Sequence, residues 1–146
     1  MKIRVIHGPN LNLLGQREPE IYGSETLTEI DASLAKAAAD LGASVICSQH
    51  NGEGAIIDAI QDAGRAADGL LLNPGGYTHT SVAIRDAVSA ITIPTIEIHL
   101  SNTYARESFR HRSLIAGVVK ARVLGFGSES YTLGLRGLLK LLKSSS

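Results

Sequence analysis

Two short segments of this chain carry residue types suited to moving protons. In Glu97-Ile98-His99 the two polar residues alternate, so on a strand both side chains face the same side. A carboxylate there orients an imidazole and favours the imidazolium, the form that acts as a general acid; a structural ion pair at a strand end would share this spacing. The second segment runs from Gly15 to Gly23 and holds Arg17 and Tyr22. A guanidinium beside a phenol favours the phenolate, a usable general base, whereas a solvated surface loop is the plainer reading. Asn73-Pro74-Gly75-Gly76 offers an amide followed by backbone that can approach a ligand closely, with His79 and Ser81 just beyond. Ser101-Asn102 adds hydroxyl, amide and backbone N–H groups that suit a carboxylate. Arg106 and Arg110 are four apart, so a helical turn would place both on one face, to hold an anionic or polyhydroxyl ligand or to pair with Glu107. His7 and His50 either line the same pocket or cap strand ends, and His111 reads as a loop residue in solvent.

These residues must be brought together by the elements around them. Apolar strand-like runs at 3–6, 44–48, 70–72, 95–98 and 122–124 alternate with helical patterns. Thr26 and Glu29 form a capping-box pattern, and Leu27, Ile30, Leu34 and Leu41 keep helical spacing up to Gly42. Further helices are expected at 53–66, 81–90 and 128–142, the last with Lys140 and Lys143 near its end. Strands alternating with helices indicate a doubly wound parallel α/β sheet with helices on both faces, and five strands suggest the flavodoxin-like order 2-1-3-4-5. In such sheets ligands bind beyond the carboxyl ends of the strands. Four of the strand runs are followed or closed by His, Asn, Gln or Glu, which predicts one polar pocket and catalysis. Long connections at 14–25 and 100–112 are candidate lids.

Composition narrows the class. The chain has 146 residues, read as one domain, 1–146, with a short serine-rich tail at 144–146. Its 14 basic and 14 acidic residues give no strong field for nucleic acid or an anionic membrane. No apolar run approaches the roughly 20 residues that span a bilayer, and the N-terminus lacks a signal-peptide profile, so a cytoplasmic location is expected. Cys47, the single cysteine, reads as a small hydrophobe in the second strand. No metal-ligand spacing is present. Gly125-Phe126-Gly127-Ser128 resembles a dinucleotide fingerprint but follows the last strand with no ribose-binding acid after it, so a tight turn is expected.

The stretches HGPNLNLLG (7–15), REPEIYG (17–23), LLNPGGYTHTS (71–81), IRDA (84–87), EIHLSN (97–102) and ARESFR (105–110) together resemble the type II 3-dehydroquinate dehydratases along nearly the whole chain. The resemblance implies a flavodoxin-like domain that dehydrates 3-dehydroquinate to 3-dehydroshikimate without cofactor or metal, in shikimate-pathway biosynthesis or quinate breakdown. It implies a homododecamer, a tetramer of trimers. It assigns Tyr22 as the base, favoured by Arg17, Asn10 to enolate stabilisation, and His99, oriented by Glu97, as the acid. By the same resemblance Asn73, His79 and Arg110 hold the substrate's hydroxyls, Leu100 and Ser101 its carboxylate, Gly75 and Gly76 are further substrate-binding residues, and Arg106 closes a lid. Asp86 is expected to reach an adjacent subunit's site. The chain departs from the usual pattern at Gly52, Tyr104 and Ser108. A related lyase acting on another cyclic hydroxy acid, or an inactive ligand-binding homologue, are the alternatives.

Overall fold

The computed structural model describes residues 1–145. Five strands, β1 (Lys2–His7), β2 (Ser44–Gln49), β3 (Gly69–Asn73), β4 (Thr95–His99) and β5 (Ala121–Leu124), form one sheet in the order β2-β1-β3-β4-β5. All four pairings are parallel, which is the flavodoxin-like arrangement expected. The strands run one or two residues further than the apolar runs suggest. His7, Gln49, Asn73 and His99 are thus the last residues of strands rather than loop residues beyond them. Ladder hydrogen bonds to neighbouring strands carry these polar side chains past the point where apolar patterning stops.

The connecting helices are α1 (Pro19–Tyr22), α2 (Leu27–Asp40), α3 (Glu53–Ala66), α4 (Val82–Ala90) and α5 (Glu129–Ser144). α2 starts on the expected capping box: Glu29 N–H donates to Thr26 Oγ1 at 3.2 Å, and Thr26 N–H to Glu29 Oε1 at 3.4 Å. Ser81 caps α4 from outside by accepting from Ile84 N–H at 2.9 Å. α5 continues through Ser144, so the expected tail begins inside a helix; Ser146 lies outside the described residues.

Period-two alternation along the strands splits the core into two layers. Ile3, Val5, Leu71, Ile96 and Ile98 pack with α2 and α5 on one face. Ile6, Leu70 and Leu72 pack with α3 and α4 on the other. The same alternation assigns the polar strand ends. His7 and Asn73 continue the α2/α5 face, whereas Glu97 and His99 lie on the α3/α4 face. Among the described residues no helix is long and apolar enough to cross a membrane.

Candidate active site

The carboxyl ends of β1, β3 and β4 enclose a cleft of about 150 Å³, beside the point where chain order reverses between β1 and β3. Asn10, Arg17 and Tyr22 line it from the segment after β1. Asn73, Gly75 and Gly76 line it from the end of β3, and Leu100, Arg106 and Arg110 from the segment after β4. Local backbone explains several of these placements. Asn10 sits at φ 69°, a left-handed conformation that asparagine tolerates, and its N–H donates to Asn51 Oδ1 at 3.0 Å. Gly75 sits at φ 59° against Pro9, where a side chain would be both strained and crowded.

Tyr22 ends the single turn of α1, a helix started by Pro19 at its first position. The Arg17 guanidinium lies 4.9 Å from the centre of its ring and that of Arg106 lies 5.1 Å away. Two cations beside one phenol ring form cation–π contacts with it. Arg106 also donates to Ser101 Oγ at 3.3 Å. A larger and more open groove of about 540 Å³ lies beyond Tyr22, Leu100 and Arg106, walled by Ser101, Asn102 and the 125–128 turn. Neither space is lined by a histidine; His99 directly precedes Leu100, which borders both.

Behind that cleft, at the end of β4, His99 Nε2–H donates to Glu97 Oε2 at 2.6 Å, with both side chains buried. This leaves Nδ1 as the ring nitrogen open to a reactant. Glu97 has further partners that sequence reasoning missed. Arg122 meets its carboxylate at 3.0 Å through Nε and through Nη2, and Ser113 Oγ donates to it at 3.0 Å. Burial alone would raise the Glu97 carboxyl, but hydrogen bonds from His99 and Arg122 outweigh it and hold the group below its ordinary value. Arg122 was findable from topology, since the β4/β5 register sets it beside Glu97.

His79 does not line the cleft; its Nδ1–H donates to the Arg112 carbonyl at 2.7 Å. Burial chiefly, with the nearby charges of His99 and Arg110, lowers its pKa and favours the neutral ring. Arg106 and Arg110 both reach the cleft, but not from one helical turn. Arg106 has extended backbone between two 3-10 turns, Thr103–Ala105 and Ser108–Arg110. Arg110 also forms the pair with Glu107 that the plainer reading anticipated, at 2.6 Å. Asp86 stands exposed on α4, away from this cleft. His7 is fully buried and bonded to Tyr131 and Asp31, so it lines no pocket, and His50 bonds to Ser48. Cys47 is half-buried, with its thiol pushed up to about 12 chiefly by burial. His111 is exposed as expected, and the 125–128 segment is a tight turn with Gly125 and Gly127 both at positive φ.

Relatives of the chain share this fold and most of its length. A curated 3-dehydroquinate dehydratase of Geotalea daltonii is 54% identical over 98% of this chain and 99% of its own. One from a Nostoc species is 57% identical over 98% and 97%. The crystal structure of a type II dehydroquinase from Butyrivibrio crossotus superposes with a TM-score of 0.93 at 44% identity, covering 95% of this chain and 97% of that one. The family model described as dehydroquinase class II matches residues 1–139, and the chain belongs to that family.

Proposed function

We propose that this enzyme dehydrates 3-dehydroquinate to 3-dehydroshikimate by anti elimination through an enolate, with Tyr22 as base and His99 as acid. The observation that carries the reading is one combination. Tyr22 lies under two guanidiniums in a cleft whose neighbouring strand end bears the buried Glu97–His99 pair.

The chemistry requires a base, an acid and stabilisation of developing negative charge. Tyr22, as phenolate, removes a proton next to the ketone; the C–H pair forms the enolate double bond and the carbonyl π pair moves onto oxygen. Asn10 stabilises the resulting enolate through an ordered water. As the enolate collapses, the β-hydroxyl leaves with the proton on His99 Nδ1, giving water and the conjugated enone. Exchange with solvent then restores both groups. Glu97, held by Arg122 and Ser113, fixes the His99 ring with Nδ1 forward.

An anti course is supported by the sheet. Tyr22 packs against the α2/α5 core, whereas His99 lies on the α3/α4 face, so base and acid approach from different sides. Asn73, His79 and Arg110 hold the ring hydroxyls in this reading, Leu100 and Ser101 the carboxylate, Gly75 and Gly76 also meet the substrate, and Arg106 covers the site. Among the described residues no lysine lines the cleft, which disfavours a Schiff-base route. We further propose that residues 1–146 act as one catalytic domain within a cytoplasmic homododecamer built from trimers. The exposed position of Asp86 on α4 suits a contribution to an adjacent subunit. The pathway is shikimate biosynthesis of aromatic amino acids or quinate catabolism.

The test is ultraviolet absorbance of the product enone from 3-dehydroquinate, with chelator and no added cofactor. Activity that also survives borohydride in the presence of substrate supports the reading. Folded protein that yields no enone, or that borohydride inactivates only with substrate present, refutes it.

A further inference from the structure

A second polar chain runs under the cleft on the α2/α5 face, and none of the acid–base chemistry uses it. His7 and Asn73 end adjacent strands and are partners in the β1/β3 register. Between them stands Tyr131 of α5, fully buried. Its hydroxyl lies 2.7 Å from His7 Nδ1 and 3.1 Å from Asn73 Nδ2. On its other side, His7 Nε2 lies 2.8 Å from Asp31 Oδ1 on α2.

The hydrogens of this chain follow from its two ends. Gly75 N–H can only donate, and it meets Asn73 Oδ1 at 3.1 Å, which fixes the amide with Nδ2 towards Tyr131. The Asp31 carboxylate can only accept, so His7 carries its proton on Nε2. Neutral His7 then accepts at Nδ1, Tyr131 donates its O–H to it, and the Tyr131 oxygen accepts from Asn73 Nδ2–H. Each bond of the chain then runs in one direction, and the Asn73 amide keeps one further Nδ2–H. A His7 protonated on Nδ1 would leave the buried Tyr131 proton without this acceptor, an arrangement that costs free energy. Burial raises the Tyr131 hydroxyl far above its ordinary value, which keeps the proton there. The Cys47 thiol beside Asp31 is likewise held protonated, so the His7, Asp31 and Cys47 atoms, all within 4.8 Å, favour hydrogen bonding over metal ligation.

We propose that Asp31, His7 and Tyr131 are positioning residues that lock the Asn73 amide so that its second Nδ2–H faces the cleft as a donor to a substrate oxygen. Only the kinetic part of this inference rests on the dehydratase reading. The relay starts at a half-exposed carboxylate and ends on a cleft-lining amide, so a change at Asp31 reaches the ligand without touching it.

Two measurements test it. In wild-type protein with ¹⁵N-labelled histidine, NMR should show His7 as the neutral Nε2–H tautomer, retained in Asp31→Asn, whose amide oxygen still accepts, and lost in Asp31→Ala. This arm needs no turnover and no variant that destabilises the core. In kinetics with 3-dehydroquinate, Tyr131→Phe and Asp31→Ala should each raise KM about tenfold with kcat changed by less than about threefold, and Asp31→Asn should recover most of the loss. A His7 proton on Nδ1 in the wild type overturns the relay. So does a wild-type KM in Tyr131→Phe, or equal impairment in Asp31→Asn and Asp31→Ala. Wild-type protein without dehydratase activity would refute the functional reading instead, with the tautomer still deciding the relay.

Discussion

Arg122 stands beside Glu97 in the β4/β5 register, and its guanidinium meets both carboxylate oxygens of that buried residue at 3.0 Å. Glu97 therefore divides its charge between a fixed cation and His99. Breaking one side of a buried ion pair leaves an uncompensated charge, which is more costly than never having built the pair. Arg122→Leu should lower stability by about 3 kcal/mol in urea unfolding and reduce kcat more than it raises KM, because His99 loses its fixed support. Stability and kcat both near wild type would show that Ser113 and His99 alone hold Glu97.

Acid should unfold the protein partly through the same group. The folded-state pKa of Glu97 lies below the ordinary 4.5, so its share of stability is fully present above pH 4.5 and is lost as pH falls through the depressed value. Unfolding free energy measured against pH should fall more steeply below 4.5 in wild type than in Glu97→Gln. Parallel curves would mean that Glu97 gains nothing from its partners.

Gly8 lets the loops after β1 and β3 touch. A Cβ there would stand 2.6 Å from the Pro74 carbonyl carbon and 2.9 Å from the Asn73 oxygen, both backbone atoms that cannot swing aside. Gly8→Ala should cost about 1–3 kcal/mol by thermal or urea unfolding, with activity lost at temperatures where the fold persists. Unchanged stability would mean the two loops part freely.

Asp86 tests the proposed contribution of one subunit to its neighbour's site. As an exposed helix residue, its replacement by Ala should change stability by no more than about 0.5 kcal/mol. Activity should nevertheless drop, and mixing Asp86→Ala with Tyr22→Phe subunits after dissociation should regain part of it. Full activity in Asp86→Ala alone would place every required group within one chain.

The sheet was legible because each strand is an apolar run of the right length between helical patterns, and the Thr26–Glu29 box marks a helix start by local chemistry alone. Tyr22 and Arg17, Glu97 and His99, and Asn73 were visible because their spacing is short or their position at a strand end is unusual. Arg122, Ser113, Asp31 and Tyr131 act across gaps in sequence that only strand register and helix packing close. Arg106 and Arg110 were found for the wrong local reason: their spacing suggested one helical face, but the backbone turns between them. His7 looked like pocket or cap because nothing in its neighbourhood reveals a partner 124 positions away.

The most direct test of the account compares purified wild type, Tyr22→Phe and His99→Ala on 3-dehydroquinate, each verified as folded. Wild type should produce the enone, and each variant should lose roughly 10²–10⁴-fold in kcat, the range for removing one positioned proton-transfer group. Tyr22→Phe turning over at the wild-type rate would contradict the assignment of the base, and with it the central claim.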